Sequence, residues 1–356
     1  MAVYISLLCA VIFPSFFVNI NENDKRKKKY LVFAFSLIAL AAALRSIGVG
    51  VDTRQFCNAY IEIGRLSWTQ MYSLRYEPGF ITLSKLLNYI SGSHQLLLIA
   101  SGCFIAFSYG RFIYKNSDNV VTGTIVFYCM FFAQSMNLMR QYLAVGVLLF
   151  GLEFIKQKKH VKFLLFVLLA VSFHYSAVVC VIYIVLYKLV IKKGLFLALS
   201  AVLVLILLNF RRVLTLITQL EALGQYTRYI GGRFDMSDST RPIKIVLALL
   251  ILIFLVINAK RQSESEDINH NFIINMLLTW AAVEALATSS YIFTRSAPYF
   301  DFVATIAVAK ALVSIKETKL RVMFTLIVYA MMIAYFIISR ILNISQVMPY
   351  MFFWEV

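Results

Sequence analysis

The chain is 356 residues long, 61% hydrophobic and only 14% charged, with a mean hydropathy of +0.80 and a formal net charge of +17. A soluble domain averages about half apolar and a quarter charged, so this composition excludes a soluble enzyme, a disordered chain and a disulfide-stapled secreted scaffold. What remains is a polytopic membrane protein, and its helix-length apolar runs lack the every-second-residue alternation of an outer-membrane barrel.

A hydrocarbon core about 30 Å thick takes ~20 apolar residues as helix. Candidate spans fall at 1–20, 30–44, 96–114, 120–134, 138–155, 161–173, 177–190, 195–210, 243–257, 272–288, 299–313 and 322–339, which makes about twelve transmembrane helices. The first has neither a charged leader nor a small-residue cleavage site and is read as a span rather than a signal peptide. The stretch 79–90 is different: Phe80, Leu83, Leu87 and Ile90 share one helical face, and Thr82, Lys85 and Asn88 another. It is short and amphipathic, and reads as a helix lying in the membrane interface. The whole chain, 1–356, is expected to form one integral membrane domain. Its two large arginine-rich outer loops are 45–78 and 211–241, in an all-α, GT-C-like arrangement.

Charge placement supports this topology. Lysine-rich loops belong on the cytoplasmic side. With the run 25–29 (KRKKK) inside, alternation also places Arg111/Lys115 and the basic loops at 156–162, 188–193, 260–261 and 316–321 inside. A full span at 79–90 would turn four of these loops outward. The positive charge is therefore accounted for by topology, and no nucleic-acid partner is implied.

The outer loops then hold twelve of the sixteen arginines, whereas of eighteen lysines only Lys85 and Lys244 fall near that face. Guanidinium stays charged and forks onto carboxylate and phosphate. Asp52, Glu62, Glu77, Asp235 and Asp238 or lipid headgroups can pair with some of these arginines, but the acids are far fewer.

Two hairpins look too short for two full crossings: 120–155, with its bend at 134–141 (QSMNLMRQ), and 161–190, with its bend at 172–176 (SFHYS). Such bends are expected to sit below the outer membrane surface, where irregular backbone is tolerated only against a protein-walled or water-filled cavity. They carry Arg140, Gln141, His174 and Tyr175. A charge at that depth costs a few kcal/mol, ~2.5–3.5 on insertion scales, and marks a functional candidate. A third polar cluster follows the tenth span, with Glu284 inside that span and then Arg295, Tyr299 and Asp301. In the second outer loop Tyr226, Tyr229 and Phe234 alternate with Arg228 and Arg233, and Arg211 lies near its start. Rings of this kind stack on sugar faces while arginines hold phosphate. The five cysteines and four histidines are scattered with no CxxC or HExxH, so neither a zinc site nor a redox pair is suggested.

Five local patterns occur in order: Arg45 with Gly48, Gly50 and Asp52-Thr53; Glu77 with Gly79-Phe80; Arg140-Gln141 with Ala144; His174 with Ser176-Ala177; and Arg295 with Tyr299-Phe300. In this order, over roughly residues 30–310, the chain resembles the Wzy-type polysaccharide polymerases, in particular their EpsG-like branch. The resemblance implies a glycosyltransferase at the outer face of the bacterial cytoplasmic membrane. It would join glycan repeat units carried on undecaprenyl pyrophosphate, with no metal, cofactor or nucleotide sugar. It also implies a lipid-linked oligosaccharide donor and acceptor, and accompanying partners such as a flippase and a chain-length regulator.

The residues suit that chemistry. A departing pyrophosphate gathers negative charge, which fixed cations in a low-dielectric cavity stabilise. Arg140 and Arg295 are the first candidates, Arg45 the next, with Gln141, Tyr299, Arg211, Arg228 and Arg233 on the bound substrate. The acceptor hydroxyl needs a base, for which His174, Asp52 and Glu77 are candidates. His174 could equally hold phosphate as imidazolium. A lipid-linked glycan ligase and a twelve-span polysaccharide flippase or transporter, with Glu284 as its intramembrane carboxylate, are competing readings. A membrane acyltransferase is the weakest, since no acid accompanies His174 in sequence.

Overall fold

The computed structural model describes residues 1–189, 241–258, 270–287 and 291–355. The predicted span at 195–210, and Arg211, Arg228 and Arg233 of the second outer loop, lie outside the described residues. Among the described residues the fold is helical with no strand. One antiparallel bridge joins Arg45 to Phe352.

The chain divides into two compact units, residues 1–181 with 304–356, and residues 182–303. In the first, Pro14 ends α1 (Ala2–Ile12) and opens the single turn α2 (Pro14–Phe17), because proline suits a first helical position and not an interior one. The lysine run is helix rather than loop. Asn23 caps α3 (Asp24–Ala43) by accepting from the Arg26 amide at 2.9 Å, and 25–29 forms its first turns. Next come α4 (Thr53–Arg65), α5 (Pro78–Asn88) and α6 (Gln95–Asn116). A π turn at Phe127–Phe131 joins α7 (Val120–Val126) to α8 (Phe132–Asn137). Leu138 alone separates α8 from α9 (Met139–Lys156), and α10 (His160–Phe173) is followed by 3-10 turns at Tyr175–Ile182.

In the second unit α11 (Tyr183–Lys188), α12 (Arg241–Asn258) and α13 (His270–Ala287) precede the short turns α14 (Tyr291–Thr294) and α15 (Pro298–Asp301). The chain then re-enters the first unit through α16 (Ala304–Val313) and α17 (Thr318–Ile341).

Among the described residues three helical rods are long and apolar enough to cross a membrane: Gln95–Asn116, Val120–Asn137 and Thr318–Ile341. The apolar stretches Ala2–Phe17, His160–Phe173, Tyr175–Lys188 and Pro242–Leu255 are shorter. The chain is a membrane protein, all-helical among the described residues. Val120–Asn137 is 89% buried and forms the centre of the first unit, whereas Thr318–Ile341 is only 22% buried and turns its aliphatic surface outward. An exposed apolar helix of that length needs lipid around it.

Small residues set the closest approach of α3 and α6. A side chain at Gly102 would come within 2.8 Å of the Ala42 Cβ, so the helices meet there nearly backbone to backbone.

Two features add to the sequence-based expectation. Residues 45–78 are not mainly irregular: α4 fills their centre and buries Phe56, Cys57, Tyr60 and Ile63. In α5 the buried face is Phe80, Ile81, Ser84 and Lys85, while Leu86 and Ile90 point outward. Lys85 is inward because its ammonium caps the end of α4, donating to the carbonyls of Ile63, Gly64 and Leu66 at 3.4, 3.1 and 2.6 Å. The outward Leu86 and the half-exposed Leu83 and Leu87 suit an interfacial helix, in which lipid takes the apolar stripe.

Candidate functional site

Glu77 sits immediately before α5 in extended backbone (φ −68°, ψ 144°), the conformation that a following proline favours. Its carboxylate makes no helix cap and is free to turn inward. It is 4% exposed and accepts from the guanidinium of Arg140, in the first turn of α9, and from Nδ1 of His174, at the end of α10, at 2.9 Å. Three helix ends thus deliver one carboxylate, one guanidinium and one imidazole to a single point.

Aromatic rings surround the cation. The Arg140 guanidinium carbon lies 4.9, 5.2 and 5.8 Å from the ring centres of Phe56, Tyr76 and Phe80. Cation–π contacts of this kind contribute ~0.5–2 kcal/mol, more as water is excluded. Phe56 and Phe80 also pack on each other, as do Tyr76 and Phe80.

Gly79 allows α5 to lie against α10. A Cβ there would fall 2.3 Å from the Ser172 hydroxyl and 2.7 Å from its carbonyl, and backbone cannot yield that far. His174 is two residues beyond Ser172, so this contact sets the reach from Glu77 to the imidazole.

Burial raises the Glu77 carboxyl, but the His174 hydrogen bond and the Arg140 charge outweigh it and hold the group below its ordinary value of 4.5. The carboxylate is ionised at neutral pH. It neutralises Arg140 and engages the Nδ1 side of His174, leaving Nε2 on the far side of the ring. That Nε2 is buried and has no hydrogen-bond partner among the described residues, and the same is true of Arg140 Nε. The side chains of Arg140 and His174 remain 20% and 16% exposed. The cluster is neutral with neutral imidazole and carries +1 once Nε2 takes a proton.

The structure distributes the predicted residues unevenly. Glu77, Arg140 and His174 converge. Gln141 follows Arg140 and is 2% exposed. Asp52 opens α4 without a side-chain cap, and its amide donates to the Asn137 side chain at 3.1 Å, three residues before Arg140. Arg45 is 1% exposed and donates to the carbonyl of Ala42 and, at 3.3 Å, to that of Met136. It fastens the end of α3 to the end of α8.

The C-terminal segment builds the same corner. Ser46 N donates to Met351 O, Gly50 N to Gln346 O and Phe353 N to Leu44 O, each at 2.9 Å.

Arg295 and Tyr299 belong to the second unit. Arg295 is half-buried, and the Tyr299 carbonyl accepts from the buried Tyr183 hydroxyl. Glu284 in that unit lies 3.6 Å from Lys244 and accepts from the Trp280 indole at 3.4 Å.

The sequence reading did not include the aromatic box, Gly79 as the close-approach point, or Asn137. Phe56, Tyr60 and Ile63 at helical spacing were the available signal for α4 and hence for the box. Among the described residues no group of three His, Cys, Asp or Glu side chains is arranged to hold a metal ion.

No curated protein and no solved structure matches this chain. The EpsG family model matches residues 28–352. That range holds the helix ends that form the Glu77 cluster and nearly all of the apolar framework, and the chain therefore belongs to the EpsG family, the family of EpsG-like polysaccharide polymerases.

Proposed function

We propose that this protein is a membrane glycosyltransferase that polymerises undecaprenyl-pyrophosphate-linked repeat units at the outer face of the bacterial cytoplasmic membrane. In this reading about twelve helices form a GT-C-like frame, and the Glu77–Arg140–His174 cluster is the reaction centre. The observation that carries the proposal is the buried Nε2 of His174, with no partner among the described residues, held from its other side by Glu77 and set beside an arginine.

In the proposed step a hydroxyl of the acceptor sugar attacks the anomeric carbon of the growing chain. A new C–O bond forms, and the bond from that carbon to the lipid pyrophosphate breaks with its electron pair on the leaving oxygen. The hydroxyl proton passes to His174 Nε2. Glu77 stabilises the imidazolium that results, as a carboxylate does behind a catalytic histidine. Arg140, with Arg295 as the second candidate cation, faces the charge that grows on the pyrophosphate. Asp52 is the alternative carboxylate near the Arg140 turn. Gln141, Tyr299 and the loop arginines Arg211, Arg228 and Arg233 are proposed substrate contacts, whereas Arg45, taken up by the Ala42 and Met136 carbonyls, is proposed to hold the corner beside them. A flippase and a chain-length regulator are the proposed partners.

The test uses purified protein in nanodiscs with defined lipid-pyrophosphate-linked repeat units, read as a gel ladder of glycan length with and without a chelator. A ladder that survives chelation and disappears in Arg140→Ala, His174→Ala and Arg295→Ala, with single repeats accumulating, supports the proposal. Full ladders from all three variants at wild-type protein levels would sink the site. Transfer to a different acceptor without elongation would make the protein a ligase, and saturable binding with no transfer would favour a flippase.

A further inference from the structure

A second feature lies at the lysine-rich end of the first unit. Helices α3 and α6 run antiparallel: Lys28 meets Tyr114 at one end and Ala42 meets Gly102 at the other. Between them lies a groove of about 480 Å³. Its walls are two helical stripes, Lys28, Val32, Phe35 and Ala39 on α3, and Cys103, Phe107 and Arg111 on α6. Both stripes are apolar along their length and cationic at the same end. Val32 and Phe107 are 69% and 62% exposed, so the groove opens on the surface that an apolar solvent must cover.

The charge at that end exceeds what the protein neutralises. Arg111 and Lys115 share one carboxylate, Glu153, at 2.5 and 2.7 Å. Lys28 is exposed, lies 5.3 Å from the Tyr114 ring centre, and forms no ion pair among the described residues. The nearest acid, Asp24, accepts from the Tyr114 hydroxyl at 3.0 Å. The stripe from Lys28 to Ala39 covers about 16 Å at 1.5 Å per residue, close to one leaflet of a ~30 Å hydrocarbon core.

We propose that this groove is a binding site for an anionic phospholipid, with one acyl chain along Val32, Phe35 and Phe107 and the headgroup phosphate between Lys28 and Arg111. Basic pockets between helices at the lysine-rich membrane face suit such headgroups. The one-leaflet length fits a phospholipid chain and is too short for a polyprenyl tail.

Native mass spectrometry tests this on the full chain released from micelles containing equal dioleoyl phosphatidylglycerol and dioleoyl phosphatidylcholine. Wild type is expected to retain one phosphatidylglycerol with a preference on the order of twentyfold, from two interfacial cations. Lys28→Gln should cut that preference about fivefold, and Lys28→Gln/Arg111→Gln should abolish it. Lys319→Gln, an exposed lysine outside the groove, should leave it unchanged. Because Lys28 forms no ion pair among the described residues, the single variant keeps the test valid if the Arg111 change unfolds the protein. Equal retention of the two lipids, a preference undiminished in Lys28→Gln, an equal loss in Lys319→Gln, or displacement of phosphatidylglycerol by undecaprenyl phosphate would each overturn the proposal.

Discussion

Arg45 and Arg140 bring the same guanidinium into two corners of the first unit, and the corners use it differently. Arg45 is 1% exposed, and its two terminal nitrogens donate to main-chain carbonyls of Ala42 and Met136. Carbonyl oxygens carry no net charge and no exchangeable proton. That corner, closed by the C-terminal segment, fastens backbone. Arg140 keeps a side-chain exposure of 20% and meets a carboxylate that also holds an imidazole. Charge there is neutralised pairwise while the imidazole is neutral, and a proton taken up at Nε2 brings the cluster to +1 beside the same carboxylate. Burial and acceptor type separate a fastening arginine from a chemical one. Sequence spacing treats both as outer-face arginines.

The largest expected effect falls on the chemical corner. His174→Ala should slow chain elongation by about 10²–10⁴-fold, the usual contribution of a positioned base, with little change in the melting temperature. Initial rates from the nanodisc ladder check it, and a wild-type rate would remove the proton-acceptor role.

Glu77→Ala leaves Arg140 buried without its carboxylate and should destabilise the protein by about 3–5 kcal/mol as well as stop elongation. Thermal unfolding in detergent reads the first effect. Arg45→Ala should cost less, about 1.5–3 kcal/mol for its charged hydrogen bonds, and leave the rate per folded molecule unchanged. If Arg45→Ala instead stops elongation in fully folded protein, the contrast between the corners fails.

Gly79→Ala sharpens the comparison from the packing side. Its Cβ would strike the Ser172 backbone, an overpacking cost of about 1–3 kcal/mol, and would push α10 away from Glu77. Elongation should fall while the Arg45 corner stays intact.

The smallest effect is in pH. The Glu77 carboxyl lies below its ordinary value of 4.5 in the folded protein, so its stabilising contribution is complete above 4.5 and is lost as pH falls through the lower folded value. The melting temperature of wild type should therefore drop more steeply on acidification below 4.5 than that of Glu77→Gln. Parallel curves would mean that the carboxylate is not the group that couples the corner to pH.

Much of this architecture was legible from residue order, and the omissions have physical causes. The helix α4 was hidden because Arg54, Gln55, Asn58, Glu62 and Arg65 make 45–78 look like a polar loop. Its apolar side, Phe56, Tyr60 and Ile63, repeats at helical spacing but packs on α5 rather than crossing a membrane. In α5 the amphipathic pattern located the helix, and the structure adds that Phe80, Ile81, Ser84 and Lys85 form the side it buries. Lipid competes with the protein core for leucine, so in a membrane protein an apolar stripe does not say which side is inside. The C-terminal segment gave no signal, because main-chain hydrogen bonds to Leu44, Ser46 and Gly50 leave no residue signature.

By itself the sequence determines that this chain is a helical membrane protein whose lysines and arginines cluster in different connecting segments. Lipid offers backbone groups no partner, so apolar runs of this length must become helices, and the cost of moving lysine across a membrane sorts the loops. It also named Glu77, Arg140 and His174 one by one. Only the tertiary structure decided that they meet, across separations of 63 and 97 residues from Glu77. Their convergence depends on a glycine that lets two helices touch and a proline that turns a carboxylate out of its helix cap. The energy of such contacts lies in distances that no local spacing encodes.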